Sequence, residues 1–175
     1  MKRHNNLYQQ ICSIDNLHLA YKLACKGKPS HKGIREFNKD YDANIQSPHL
    51  AMTNKTYTTG AYVSFPVYDK KERIVSRLPF IDRIVHHAIM LVIEPVLTGM
   101  YTVDTYSCIK GRGTHKASYA LRNALRDKSM RYFLQLDIRK FYPSVDHTIL
   151  KALLRRKFKD QDLLWLLDNI IDSAP

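Results

Sequence analysis

A carboxylate at Asp137 and two cations, Lys110 and Arg112, alternating with Gly111 and Gly113, are the residues of this chain whose types and spacing suit chemistry on a phosphorylated substrate. From Tyr132 to Ile138 the side chains alternate. Tyr132, Leu134, Leu136 and Ile138 fall on one face of a predicted strand, and Phe133, Gln135 and Asp137 on the other. An ionised carboxylate at the rim of an apolar strand is costly to desolvate unless it is paired or bound to a cation, and hard oxygen ligands are what Mg²⁺ selects. Taken by its spacing alone, Asp137 reads equally as a helix cap or one half of a surface ion pair. In the Lys110 to Gly113 turn the missing Cβ atoms let the backbone approach an anion with its N–H groups pointing inward, a geometry that suits a triphosphate. The same four residues also read as an ordinary mobile surface turn.

The elements that must position these groups follow from periodicity. Leu17, Ala20, Leu23 and Ala24 predict a short amphipathic helix over 16–26 with Asp15 as its cap, and a second helix is expected over 33–43. The polar stretch 44–60, with Pro48 and Gly60, reads as a loop. Two β-like runs flank Asp69 to Glu72, giving a hairpin over 62–78 in which Pro66 keeps its strand at an edge. Asp82 is placed to cap a core helix over 82–97 whose apolar stripe Pro95 bends or closes. After a polar turn at 102–105 and the basic glycine turn 110–113, a helix over 114–127 packs Ala117, Ala120, Leu121, Ala124 and Leu125. Beyond the strand 132–138 two helices follow, one begun by Ser144 or Asp146 and one capped by Asp160 and carrying Leu163, Leu164, Leu167, Ile170 and Ile171. His86 and His87 read as structural, since no second ligand cluster lies at zinc spacing.

Composition narrows the partner. The 175 residues hold 28 Lys plus Arg against 16 Asp plus Glu, a formal charge of +12, which favours a polyanion and nucleic acid first. An apolar content of 45% excludes a mainly disordered basic tail. Cys12, Cys25 and Cys108 are too few and too scattered for a disulfide framework, and no CxxC pair occurs. With no uninterrupted apolar run of 18 residues, no membrane partner is expected and a cytoplasmic location is.

Three stretches resemble one family. LDIRKFYPSVDH around Asp137 resembles the first catalytic block in the palm of reverse transcriptases, RNA-directed DNA polymerases, and most of all those of retrons and diversity-generating retroelements. IKGRGTHKA resembles the fingers block that grips the phosphates of the incoming nucleotide. YTTGAYVSFPVYDKKERIVSRLPFIDRIVHHA resembles the fingers hairpin and the helix after it. The resemblance implies that Asp137 is a catalytic, metal-binding carboxylate, with the Ile138 backbone carbonyl helping to hold the metal. It implies further that Tyr142, fixed by Pro143, gates the sugar, that Lys110 and Arg112 hold the triphosphate, and that Lys71, Arg73 and Arg83 lie near template or primer backbone. The implied cofactor is Mg²⁺, or Mn²⁺ in its place, and the implied partners are an RNA template, a DNA or RNA primer and a dNTP.

The expected fold is therefore α+β with helix predominating: a fingers region over 1–130 and the beginning of the palm of a right-hand polymerase over 131–175. Two-metal nucleotidyl transfer needs carboxylates from separate strands, and the family's Tyr-x-Asp-Asp turn is absent, as is any Asp-Asp pair. The chain is accordingly read as a fragment that by itself does not extend a primer, the rest of palm and thumb lying on another segment or chain. Two alternatives share these features: a phage-defence relative with untemplated polymerisation, and a non-catalytic basic module that binds RNA.

Overall fold

The computed structural model describes residues 3–28, 31–68 and 72–174, and its fold is α+β with helix predominating. The described residues form helices α1 (Tyr8–Cys12), α2 (Ile14–Cys25), α3 (Lys32–Phe37) and α4 (Tyr41–Thr53). A hairpin β1 (Val63–Tyr68) and β2 (Glu72–Arg77) comes next, then α5 (Phe80–Thr98), α6 (Thr114–Ala124), α7 (His147–Lys157) and α8 (Gln161–Asp172). They divide into two compact units, one of Met1–Ile93 with Asp146–Pro175, the other Glu94–Val145.

The first unit owns the core. Ile11, Leu17, Ile45, Met52, Ile84, Val85, Phe158, Leu163 and Leu166 are fully buried there. Polar ties accompany the packing: the Tyr8 hydroxyl donates to the Met52 carbonyl (2.6 Å), Asn16 Nδ2 to that of Ala88 (3.0 Å), and Asn169 Nδ2 to that of Tyr57 (2.9 Å). The two ends of the chain meet in this unit. His4 pairs with Phe158 as an isolated parallel bridge, and Asp160 accepts from the backbone N–H groups of Leu7 (2.7 Å) and Tyr8 (3.0 Å) as well as from Leu163 (3.1 Å). One carboxylate thus serves the first turns of both α1 and α8, satisfying donors that a helix start leaves open.

Several expectations hold and several are corrected. The hairpin forms antiparallel with Val63 opposite Arg77 and Tyr68 opposite Glu72; its loop lies outside the described residues. Asp146 and Asp160 cap α7 and α8 as expected. Helix α2 is capped by Ser13, whose hydroxyl accepts from Asn16 N–H, with Asp15 one step inside the first turn. Residues 44–53, expected as loop, continue α4 straight through Pro48, and the helix expected over 33–43 is instead α3, a 3₁₀ turn at Asn38–Asp40 and the start of α4. An interior proline costs a helix about 3 kcal/mol. Ile45, Pro48 and Met52 all lie on the buried stripe of α4, so apolar burial outweighs that cost.

Asp82 is not a cap but a buried residue of the first turn of α5, accepting from the Tyr57 hydroxyl (2.7 Å). Gly60 makes room for it: a Cβ there would stand 2.8 Å from Asp82 Oδ2 and 2.9 Å from Pro79 Cγ. Gly60→Ala is therefore expected to destabilise the chain by about 1–3 kcal/mol through overpacking, read as a lower urea midpoint at unchanged slope. An unchanged midpoint would show that the 57–60 segment yields without cost.

The strand expected over 132–138 is not formed; these residues take neither helix nor paired strand. A strand exists only where another chain segment receives its N–H and C=O groups, and among the described residues none does. The apolar side chains meant for its buried face are open to solvent, Tyr132 at 94% and Leu136 at 81%. Leu121 of α6 and Leu125 at its C-terminal cap, expected to pack, are exposed as well, and no described residue between 94 and 145 is buried.

Candidate functional site

The basic glycine turn lies in the second unit and is built by backbone geometry. Arg112 N–H donates to the Ile109 carbonyl (3.0 Å), closing a turn in which Gly111 adopts φ +77°, a conformation that side-chain-bearing residues avoid. The Arg112 guanidinium donates through Nη1 to the Thr102 carbonyl (2.9 Å), tying this turn to the one closed by Thr105 N–H on the same carbonyl (3.1 Å). Part of the Arg112 fork is thereby spent on structure. Lys110 is exposed and makes no ion pair or hydrogen bond among the described residues. Helix α6 starts directly after the turn, with Gly113 as a cap that offers no side chain. Its first N–H groups and positive dipole end therefore stand next in sequence to two cations, an arrangement that attracts an anion.

Asp137 and Tyr142 belong to the same unit. Asp137 is exposed, on the unpaired segment 131–138, and has no partner among the described residues. It is not half of an interior ion pair. Tyr142 opens a 3₁₀ turn, Tyr142–Ser144, that Pro143 favours; Ser144 N–H donates to the Lys140 and Phe141 carbonyls (both 3.1 Å) and Ser144 Oγ to Phe141 O (2.8 Å). Its ring stands edge-on to Phe141, centroids 5.4 Å apart, and is 86% exposed. No hydrogen bond or ion pair joins Asp137 to Lys110, Arg112 or Tyr142 among the described residues.

A Mg²⁺ ion takes about six oxygen ligands in near-octahedral geometry. Among the described residues no three His, Cys, Asp or Glu side chains come together, so Asp137 and the Ile138 carbonyl do not by themselves make a metal site. The histidines of α5 offer none either. Burial holds His86 below the usual histidine range against the opposing charge of Asp82, and burial together with Arg83 lowers His87.

Of the residues expected near a nucleic-acid backbone, Arg73 is exposed on β2 opposite Val67, and Arg83 sits in the first turns of α5 with its guanidinium 5.9 Å from the Phe80 ring centroid. Lys71 lies outside the described residues. Sequence reasoning missed Arg77, the last residue of β2. Its guanidinium lies 6.0 Å from the Phe65 ring centroid, and it shares with Arg83 the wall of a groove of about 510 Å³ in the first unit. Only the strand register brings Val63 and Arg77 face to face at the mouth of that groove.

No protein-family model matches the chain. Over 177 aligned residues, 96% of this chain, it is 22% identical to the group II intron-encoded protein LtrA of Lactococcus lactis subsp. cremoris, and equally to the protein of that name from strain MG1363. The chain spans 29% of the length of these curated relatives. This likeness supports a reverse-transcriptase-like relationship. No helix among the described residues is long and apolar enough to cross a membrane.

Proposed function

We propose that this chain supplies the fingers and the beginning of the palm of an RNA-directed DNA polymerase, with the fingers over 1–130 and the palm starting at 131. The observation that carries the reading is the order of three matching blocks, ending in LDIRKFYPSVDH, across a chain that aligns over 96% of its length with an intron-encoded protein. In this reading Lys110, Arg112 and the open start of α6 hold the triphosphate of a dNTP, while the Tyr142 ring, stiffened by Pro143, lies beside its sugar and excludes a 2′-hydroxyl. Arg73 and Arg83, with Lys71, run along template or primer phosphates. Asp137 contributes one carboxylate to a site whose other carboxylates come from further polypeptide. The exposed row from Tyr132 to Ile138 supports the need for that polypeptide, since apolar side chains in alternation on a bare edge call for a partner strand.

A second reading keeps the binding and omits the chemistry. The charge of +12 and the lack of a metal-ligating cluster among the described residues favour a basic RNA-binding module. Titration with dNTP in the presence of primer–template separates the two. Under the polymerase reading, Lys110→Ala with Arg112→Ala leaves the affinity for primer–template alone and its salt slope unchanged, because the two side chains hold the triphosphate and not the polynucleotide backbone. Addition of dNTP sharpens binding of the unsubstituted chain and leaves that variant unmoved. A lower salt slope in the variant, with no response to dNTP in either protein, would refute the triphosphate role and leave the binding module.

A further inference from the structure

Between the turn that Met130 N–H closes on the Asp127 carbonyl (3.0 Å) and the turn that begins at Lys140 runs the stretch Arg131 to Arg139, none of whose backbone groups is hydrogen-bonded among the described residues. Its even-numbered positions, with Met130 before them, are all apolar and all exposed: Met130, Tyr132, Leu134, Leu136 and Ile138. The polar groups fall on the odd-numbered positions. Two of them carry opposite charge and stand at equal distance in sequence from Leu134, Arg131 before it and Asp137 after it. Both are exposed, and neither makes an ion pair or hydrogen bond among the described residues.

We propose that this stretch is a self-complementary edge that pairs antiparallel with the same stretch of a second copy of this chain, about a twofold axis at Leu134, with Arg131 of each copy opposite Asp137 of the other. Register decides between the ways two such edges can meet. A parallel pair in register stacks Arg131 on Arg131 and Asp137 on Asp137, and like charges side by side repel. In an antiparallel pair, residues directly opposite share a face, so keeping the apolar side chains together requires the axis to pass through a residue. At Gln135 the axis sets Arg131 opposite Arg139, again like against like. At Phe133 it faces Arg131 with Gln135 and Asp137 with Ser129, leaving both charges unpaired. At Leu136 it moves Arg131 opposite Phe141, beyond Lys140, whose φ of +52° ends the extended run. At Leu134 it sets Leu134 against itself, Tyr132 against Leu136 and Met130 against Ile138, and forms the Arg131 to Asp137 pair at both ends.

A twofold contact needs a surface that is its own complement, and opposite charges placed symmetrically about an apolar centre supply one. The ladder also gives these backbone groups the partners they lack and covers an open edge. Net charge works against the pairing: two copies of +12 repel, so association strengthens from low salt to about 0.15 M, the reverse of binding to a polyanion. The proposal does not depend on the polymerase reading. Within that reading it adds a restraint, since an Asp137 that faces the second copy is withheld from a cation until further polypeptide displaces that copy.

The test is sedimentation of the full chain at about 0.15 M salt over roughly 1 to 100 μM, where a contact of this size is expected to pass from monomer to dimer. Arg131→Asp sets like charges opposite each other and is expected to raise the dimer dissociation constant about tenfold or more. Arg131→Asp with Asp137→Arg reverses the pair and is expected to return it to within about threefold of the unsubstituted chain. In a Cys108→Ser background, Leu134→Cys brings two thiols together at the axis and is expected to give a covalent dimer under mild oxidation about fivefold faster than Gln135→Cys, or more. The substituted positions are all exposed, so circular dichroism of each variant is expected to match that of the unsubstituted chain. A double variant no better paired than Arg131→Asp, or Gln135→Cys linking faster than Leu134→Cys, would overturn the proposal. So would a chain that stays monomeric to about 100 μM, which leaves the edge to other polypeptide alone. The dNTP response that tests the proposed function is untouched by any of these results.

Discussion

Replacing Asp160 with alanine is expected to destabilise the first unit by about 3 kcal/mol, at about 1 kcal/mol for each of two helix caps and a further penalty for donors left unsatisfied in a buried place. Asp160 is buried and accepts from three backbone N–H groups on two helices far apart in sequence, so its removal opens α1 and α8 together and frees the strand-like pairing of His4 with Phe158. Asp160→Asn keeps an acceptor and is expected to lose roughly half as much. Burial acts to raise the carboxyl, but hydrogen bonds from the Tyr8, Leu163 and Leu7 backbones outweigh it and hold Asp160 below the ordinary aspartate value. The contribution is therefore complete above the unfolded-state pKa of about 4 and is lost as pH falls through the lower folded value. Urea unfolding at pH 7 and again at pH 3 reads both effects. A variant as stable as the unsubstituted chain at pH 7 would show that water caps α1 equally well.

Amide hydrogen exchange is expected to be at least about a thousandfold faster across 131–138 than in the interior of α2 and α8. No backbone N–H from Arg131 to Ile138 has an acceptor among the described residues, and the side chains flanking them are exposed, whereas the helix amides sit in closed ladders under a packed core. The difference should narrow as protein concentration rises if two copies pair these edges, because each paired strand protects the other. Protection of 131–138 equal to α8 in dilute protein would mean that the segment already has a partner strand within the chain, and the need for further polypeptide would fall with it.

These two expectations mark where the chain's stability is concentrated. The first unit couples its ends through backbone bridges and a shared carboxylate, and its helices bury their stripes against one another. The second unit carries Lys110, Arg112, Asp137 and Tyr142 on turns and an unpaired segment with no buried residue beneath them. A nucleotide site requires its binding groups held to within about half an ångström. The residues identified from the sequence are therefore present without the support that would fix their geometry, in agreement with the proposal that other polypeptide supplies it.

What could be read from the residues in order was whatever depends on local periodicity and local chemistry. The stripes of α5 and α8, that of α2 except for the exposed Leu23, and the caps at Asp146 and Asp160 all report neighbours three or four positions away, and the hairpin pairs where its two β-like runs were read, although both faces of its strands are exposed. Gly111 likewise announced its turn, because few other residues take a positive φ without strain. Tertiary structure alone decided the rest. Pro48 stays inside α4 because burial against the core exceeds a local penalty, and Asp82 leaves its expected cap because the Tyr57 hydroxyl reaches it from 25 residues away. Arg77 and Arg83 share a groove through strand register and helix packing, neither of which is encoded between adjacent residues. The alternating run 132–138 carries a strand's pattern without being one, since hydrogen bonds between strands belong to the pair and a single segment cannot make them alone.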